Sequence, residues 1–166
     1  MNNRAWQIKE IDQEICNKII AENGVFPITA KLLANRGLTE KCDIDNFFNR
    51  EGMPLHDPFL LKDMDKAVAR VEQAVRNGEK IMVYGDYDVD GTTAVALVYK
   101  FLRQIGHTNL LFYIPDRYTE GYGVSQQGID YAAEHACSLI ITLDCGIKAV
   151  EKIAYANSKG IDVIVC

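Results

Sequence analysis

Short apolar runs alternate with stretches of helical pattern from Lys80 to the last residue of the chain. The apolar, β-prone runs cover residues 81–84, 110–114, 139–143 and 163–166, and helical patterns lie between them at 93–105, 125–136 and 147–159. Strand–helix–strand units of this spacing form right-handed crossovers, which make neighbouring strands parallel. The sequence therefore predicts an α/β fold over residues 61–166, with a parallel sheet flanked by helices.

The first sixty residues carry a different pattern, with apolar side chains at helical spacing and no apolar strand-like run. Helices are predicted near residues 10–22, 28–36 and 40–49. Pro54 and Pro58 then interrupt any regular element, which favours a linker at 52–58. Residues 1–60 are therefore interpreted as a small helical N-terminal region and linker with a structural role.

Charge and cysteine content limit the possible classes of protein. The 166-residue chain has a net charge of -5, which argues against a broadly basic nucleic-acid surface but leaves a local patch open. Five cysteines, an odd number with no C-x-x-C pair, favour buried, reduced thiols. The chain begins without an apolar signal core and holds no run long enough to cross a bilayer. A cytoplasmic protein with no membrane partner is expected.

Three carboxylates follow the first predicted strand at alternate positions: Asp86, Asp88 and Asp90, before Gly91. They lie at the carboxyl end of a strand, where open α/β sheets bind their ligands. Two carboxylates about 4 Å apart repel by roughly 4 kcal/mol at an effective dielectric near 20, so a cation or raised pKa values must hold such a group together. A metal site is predicted, and the alternative is a solvated acidic turn.

Asp144 follows the third predicted strand, and parallel strands end at the same edge of the sheet. Asp144 is therefore expected to reach a cation held by the first loop. Oxygen ligands favour Mg²⁺ or Mn²⁺, and Gly91 and Gly146 allow the backbone to approach the ion and a phosphate closely. A helix beginning near Thr92 points its amide end at the site, which suits a phosphate oxygen. Metal-assisted phosphoester hydrolysis is the predicted chemistry.

The loop after the second predicted strand carries candidate substrate contacts. Arg117 is expected to neutralise a phosphate, and Tyr118 or Tyr122 to stack on a base. The competing interpretation is an ordinary glycine-rich loop with an exposed arginine. Cys145, beside Asp144, has no histidine nearby in sequence to activate it, so a buried thiol is expected rather than a nucleophile.

Other acidic motifs are weighed against this site. An EF-hand is excluded because its twelfth position is Leu97 where a glutamate is needed. A Walker phosphate loop is excluded because no Gly-Lys-Ser/Thr follows the first strand. The segment Asp88-Val-Asp90-Gly91-Thr92 is similar to the signature of haloacid-dehalogenase-type phosphatases, with Asp88 as nucleophile and Asp90 as acid/base. In that family the first aspartate follows its strand directly, yet this alternative stays open.

Four ordered motifs resemble the N-terminal part of RecJ-type single-strand-specific DNA exonucleases, in the DHH phosphoesterase superfamily. They are residues 55–65, 83–93, 115–125 and 142–146. The resemblance implies a DHH-type sheet that is incomplete here, because the family's Asp-His-His motif, a fourth aspartate and a second domain would follow Cys166. A missing C-terminal part of the same protein is therefore expected.

The resemblance also implies roles for individual residues. Asp88 and Asp90 match a metal-binding catalytic pair, Asp144 matches a ligand that bridges two metals, and Asp86 is ranked a weaker ligand. Some members of the superfamily have a metal-binding histidine where this chain has Tyr84, so one metal is expected to be held more loosely or by other groups. Two Mn²⁺ or Mg²⁺ ions are implied for the full-length protein, and the fragment alone is expected to be inactive.

The resemblance implies removal of nucleotides from the 5′ end of single-stranded DNA in recombination and repair. Two further alternatives remain at this point. One is a small-molecule phosphatase or phosphodiesterase of the same superfamily, which shares these motifs. The other is a binding module that has kept the fold without the chemistry.

Overall fold

A computed structural model describes residues 9–49 and 54–166 of the chain. The chain divides into two compact units, Met1–Asp57 and Pro58–Cys166. The sequence-based boundary after residue 60 stays a prediction. Residues 1–8, at the start of the predicted helical region, and residues 52 and 53 of the predicted linker lie outside the described ranges.

The first unit contains the three helices that the sequence predicts. They are α1 (Gln13–Asn23), α2 (Pro27–Asn35) and α3 (Lys41–Phe48). The Asp12 side chain caps α1 by accepting a hydrogen bond from the Glu14 amide at 2.8 Å, and Gly24 ends the helix in the left-handed conformation. The three helices bury a small apolar core formed by Cys16, Ile19, Ala30, Leu33 and Ile44.

The second unit alternates helices and strands as predicted. Its elements, after a 3-10 turn at Pro58–Leu60, are α4 (Met64–Asn77), β1 (Ile81–Gly85), α5 (Val89–Gln104), β2 (Leu110–Tyr113), α6 (Gln126–Glu134), β3 (Leu139–Leu143), α7 (Val150–Ser158) and β4 (Asp162–Val165). All residues of β1 and β3 are buried, which explains why their sequences are almost entirely apolar.

The four strands form one parallel sheet in the order β2-β1-β3-β4. Ile81, Val83 and Leu139 face one core layer together with side chains of α4 and α5. Met82, Tyr84 and the opposite face of β3 pack against α6 and α7. The predicted α/β class is confirmed, and no helix in the described ranges is long and apolar enough to cross a membrane.

One helix boundary differs from the prediction in a way that affects the site. Helix α5 begins at Val89, about one turn before the expected start near residue 93. Asp88 is its N-cap, with its side chain accepting a hydrogen bond from the Gly91 amide at 3.0 Å. The expected start was wrong because Gly91, a usual helix breaker, lies inside the first turn. Asp90 therefore belongs to the helix and not to the loop before it.

The cysteines are all free, in agreement with the sequence interpretation. Cys16, Cys137 and Cys145 are buried, whereas Cys42 and Cys166 are exposed. The expectation of buried thiols is therefore wrong for these last two, which lie in a short helix of the first unit and after the last strand.

Candidate metal centre

Asp86 is the first residue after β1, and it is completely buried. Within the described part of the chain, neither of its carboxylate oxygens has a hydrogen-bond partner. The adjoining turn is tight, since a Cβ atom at Gly91 would lie 2.6 Å from the Asp86 amide nitrogen. A buried carboxylate without partners is costly, and it is the kind of group that a bound cation satisfies.

Asp88 and Asp90 lie beside Asp86 at the amino end of α5. Both side chains are exposed, and the Asp88 carboxylate caps the helix through the Gly91 amide. Unpaired amides give a helix a partial positive charge at this end, which stabilises nearby anions. The first turn of α5 therefore combines two carboxylates with a backbone surface that also suits a phosphate oxygen.

Asp144 reaches the same edge from the neighbouring strand, because Gly85 at the end of β1 pairs with Leu143 at the end of β3. Asp144 has a left-handed backbone with φ of 56°. Loss of solvation raises the pKa of its carboxyl group, and the charges of Asp88, Asp90 and Asp86 raise that pKa further. These four residues, hereafter the acidic cluster, thus lie within electrostatic range of one another.

The donor set of the acidic cluster fits a hard divalent cation. Carboxylate oxygens are the usual ligands of Mg²⁺ and Mn²⁺, and the two buried oxygens of Asp86 lack any other partner among the described residues. Across residues 9–49 and 54–166, however, no three His, Cys, Asp or Glu side chains converge closely enough to enclose an ion. The carboxylates are therefore separate potential ligands, and that of Asp88 accepts a hydrogen bond from the Gly91 amide.

Gly146 occupies the turn after Asp144. Its φ is 105°, and a Cβ atom there would lie 2.8 Å from the Thr142 hydroxyl oxygen. That hydroxyl donates to the Cys145 carbonyl at 3.0 Å, which closes the turn. Burial raises the pKa of the Cys145 thiol to about 11, and the Asp86 charge contributes. A thiolate nucleophile is therefore disfavoured, as the sequence suggested.

The loop after β2 brings two predicted substrate contacts to this edge. The Arg117 guanidinium lies 4.7 Å from the centre of the Tyr87 ring, and Tyr87 meets Tyr122 edge to face at 6.3 Å. The Asp86 charge, followed by loss of solvation and the charge of Asp144, raises the pKa of Tyr122. Tyr122 is therefore close to the acidic cluster while 73% of its surface is exposed.

A cavity of about 630 Å³ opens beside these groups. It lies between residues 122–124 and the turn at 144–149, and Val165 and Cys166 border it. Asp144, Tyr122 and Gly146 all contribute to its wall. Its position at the carboxyl ends of β3 and β4 is where parallel sheets bind ligands.

The structure therefore places all of the sequence-predicted site residues at one edge of the sheet. Their roles stay predictions. Sequence reasoning missed Tyr87, whose ring connects Arg117 with Tyr122. The sequence feature that could have indicated Tyr87 is its position between Asp86 and Asp88. Tyr118, the other candidate for stacking, is 90% exposed.

The fold and the acidic cluster together define the general class of this protein. It is an α/β protein with a parallel sheet, and the carboxylates at one edge of the sheet are suited to bind a cation. The model of the DHH family, N-terminal domain, matches residues 80–166, which is more than half of the chain. The chain belongs to the DHH family.

Relatives and solved structures refine this assignment. The chain is 38% identical over 160 residues to the single-stranded-DNA-specific exonuclease RecJ of Bacillus subtilis, an alignment that covers 96% of this chain and 20% of the relative. The crystal structure of exonuclease RecJ bound to manganese matches with a TM-score of 0.60 and 38% identity, over 68% of this chain and 28% of that one.

A second solved structure gives a similar result. RecJ from Thermus thermophilus in complex with Mn²⁺ has a TM-score of 0.60 and 28% identity, over 93% of this chain and 21% of that one. The chain thus spans about a fifth of the length of the curated relative from Bacillus subtilis. The haloacid-dehalogenase-like alternative is not favoured, since Asp86 and not Asp88 follows β1 directly.

Proposed function

We propose that this chain forms the metal-binding part of an exonuclease that hydrolyses phosphodiester bonds of single-stranded DNA. The observation that carries the proposal is the buried Asp86 carboxylate, which has no partner among the described residues and whose charge acts on Asp144 together with the charges of Asp88 and Asp90. Similarity to RecJ exonucleases, two of them solved with manganese, supports it. Removal of nucleotides from a 5′ end, in cytoplasmic repair and recombination, belongs to the same proposal.

The acidic cluster would hold the metal, Mn²⁺ or Mg²⁺, with two ions in the full-length protein. When bound, such an ion lowers the pKa of a coordinated water and neutralises charge on the phosphate. The chain supplies the anionic ligands and their spacing. Because Asp86 and Asp144 follow paired residues of adjacent strands, the rigid sheet fixes the distance between their backbones.

Other residues of the edge would bind the substrate. The amide end of α5 suits a phosphate oxygen, Arg117 carries a positive charge next to the cluster, and Tyr122 presents an exposed ring for a base. Gly91 and Gly146 keep the backbone close enough for these contacts. The net charge of -5 means that DNA binding depends on these local groups and on the cation rather than on the whole surface.

The chain alone is proposed to bind metal weakly and to leave DNA intact. Asp88→Asn is the variant that tests the site, because asparagine can still cap α5 while the negative charge is lost. Asp12→Asn is a matched control, since the Asp12 side chain also caps a helix, α1, by accepting from a backbone amide, and it lies outside the acidic cluster.

Manganese binding is measured on this chain by electron paramagnetic resonance. Cleavage of a labelled single-stranded oligonucleotide is measured on the polypeptide extended to the length of its relatives. Asp88→Asn is expected to weaken manganese binding by roughly 10- to 100-fold, the loss seen even for outer ligand partners, and to abolish cleavage. Unchanged cleavage in Asp88→Asn would reject the acidic cluster as the metal site, and no cleavage by the extended wild-type polypeptide would favour a binding module.

A further inference from the structure

Tyr84 is fully buried in β1, and its side chain extends toward α6. Its hydroxyl group donates to the Gly123 carbonyl at 2.9 Å and accepts from the Ser125 amide at 3.0 Å. Its ring stacks on Tyr113, with centroids 5.4 Å apart. A Cβ atom at Gly128 would lie 2.6 Å from the Tyr84 ring, so α6 approaches closely because that residue is glycine. This position is therefore shaped around both the ring and the hydroxyl group of a tyrosine.

Glu120 completes the same network from within the loop. Its carboxylate accepts hydrogen bonds from the Tyr113 hydroxyl at 2.9 Å, the Asp116 amide at 2.8 Å and the Ser125 hydroxyl. Burial raises the pKa of Tyr113 to about 12, so its hydroxyl remains a donor at neutral pH. One carboxylate thus joins β2 to both ends of the 114–125 loop.

These contacts hold the loop on both sides of its functional residue. Tyr122 lies between Glu120 and Gly123, which are both anchored, so only Gly121 separates it from the carboxylate anchor. Arg117 and Tyr122 are in contact with the same ring, that of Tyr87. A change in the loop would therefore move a charge and an aromatic ring together, next to the acidic cluster.

We propose that Tyr84 and Glu120 are positioning residues that fix the conformation of the 114–125 loop. The fixed loop allows Arg117 and Tyr122 to bind a single nucleic-acid strand beside the acidic cluster. This inference rests on the proposed function. The Tyr84 hydroxyl group binds the loop backbone directly.

A purely structural role for this buried tyrosine is the competing interpretation. Phenylalanine would fill the same apolar volume, whereas the hydroxyl group contributes only hydrogen bonds to the loop. Tyr84→Phe therefore removes the anchor and leaves the ring packing in place. Glu120→Met keeps most of the size of the second anchor but removes both carboxylate oxygens, so the Tyr113 hydroxyl and the Asp116 amide lose their acceptor. Tyr155→Phe is the matched control, since it removes a tyrosine–carboxylate bond of 2.7 Å, to Asp130, between α6 and α7.

The first measurement is amide hydrogen exchange followed by NMR on this chain without ligand. Loss of a hydrogen bond of ordinary strength corresponds to about tenfold in an equilibrium constant. Exchange at Ser125 in Tyr84→Phe, and at Asp116 in Glu120→Met, is therefore expected to become about tenfold faster. Tyr155→Phe should leave both amides unchanged. Loop exchange at the wild-type rate in both loop variants would overturn the inference.

The second measurement is an NMR titration, which gives the affinity of the chain for a short oligothymidylate in the presence of Mn²⁺. Both loop variants are expected to bind about tenfold more weakly, while Tyr155→Phe binds as the wild type does. A faster-exchanging loop combined with control-like affinity would overturn the positioning role alone. Failure of the wild-type chain to bind oligothymidylate at saturating Mn²⁺ would overturn the positioning role, whereas the proposed function is contradicted by failure of the extended polypeptide to cleave single-stranded DNA.

Discussion

Gly91 lies directly against the backbone of Asp86. A Cβ atom at Gly91 would be 2.6 Å from the Asp86 amide nitrogen and 2.8 Å from the Asp86 carbonyl carbon, distances that no real Cβ atom tolerates. The contact joins the first turn of α5 to the end of β1. It therefore brings the positive end of a helix next to a buried carboxylate.

Gly91→Ala is expected to destabilise the chain by about 1–3 kcal/mol, because backbone atoms must move to admit the methyl group. Alanine favours a helix over glycine by about 1 kcal/mol, so a net loss would show that the close contact dominates. Urea denaturation measures the free energy of unfolding, and manganese binding should fall with it. Gly160→Ala is the control: it has left-handed backbone strain and no neighbour within 4 Å. It should lose stability yet bind manganese normally. Wild-type manganese affinity in Gly91→Ala would contradict the assignment of the acidic cluster as the metal site.

Asp86→Asn is expected to stabilise the metal-free chain by roughly 1–3 kcal/mol, since it removes a buried charge that has no partner among the described residues. The same variant should lose the rise in melting temperature that Mn²⁺ produces in the wild type, because a ligand stabilises only the state that binds it. Differential scanning fluorimetry with and without Mn²⁺ measures both effects. Asp65→Asn, an exposed position in the first turn of α4, should change neither. A destabilised Asp86→Asn would mean that this carboxylate has a structural role.

Most of the fold could be predicted because strands buried on both faces read as continuous apolar runs. Ile81–Gly85 and Leu139–Leu143 are of this kind. The start of α5 could not be predicted, since Gly91 breaks helices on average and only its contact with Asp86 explains its place in one. Contacts between residues distant in sequence, such as Arg70 with Asp162, leave no periodic signal.

The sequence predicted which residues lie at the candidate site, but it did not predict which of the carboxylates is buried. Parallel strands end at one edge, and this rule alone brings Asp144 to the loop that carries Asp88. The resemblance ranked Asp86 as a weaker ligand, yet it is the carboxylate that the structure buries most completely. Its burial depends on the packing of α5 over β1, which no local pattern encodes. The hydrogen bonds of Tyr84 to the 114–125 loop were likewise invisible, because they join residues about forty positions apart.

Asp144→Asn is expected to change how stability depends on pH. Loss of solvation and the neighbouring carboxylates raise the pKa of Asp144 above its ordinary 3.8. The folded chain therefore binds this proton more tightly than the unfolded chain does, and the free energy of unfolding falls as the pH rises through the interval between the two pKa values. The variant should be more stable than the wild type at neutral pH and equally stable well below the ordinary pKa.

Thermal unfolding at a series of pH values measures this difference. Asparagine tolerates the left-handed backbone that residue 144 adopts, with φ of 56°, so backbone strain does not obscure the result. Saturating Mn²⁺ should remove the advantage of the variant, because the cation offsets the repulsion in the wild type. A variant that is less stable than the wild type at neutral pH would show that the Asp144 charge is not repelled.

Arg70 links α4 to the start of the sheet, at the edge opposite the acidic cluster. Its guanidinium binds Glu79 at 2.8 Å and Asp162 at 2.6 Å, and 19% of its side chain is exposed. Arg70→Met is expected to destabilise the chain by about 2 kcal/mol, because two carboxylates lose charged hydrogen bonds. Arg76→Met makes the same change on the same helix, where the pair with Glu72 is exposed, and should cost less than about 0.5 kcal/mol.

The pH dependence of this ion-pair network separates it from simple packing by the Arg70 side chain. Hydrogen bonds from Ser138 and Arg70 lower the pKa of Glu79 below its ordinary 4.5. Their stabilisation is therefore complete above that value and is lost as the pH falls through the lowered pKa. The difference in unfolding free energy between wild type and Arg70→Met should narrow on acidification, as followed by urea denaturation. A difference that stays constant across this range would assign the effect to the apolar part of the arginine side chain, which methionine largely replaces.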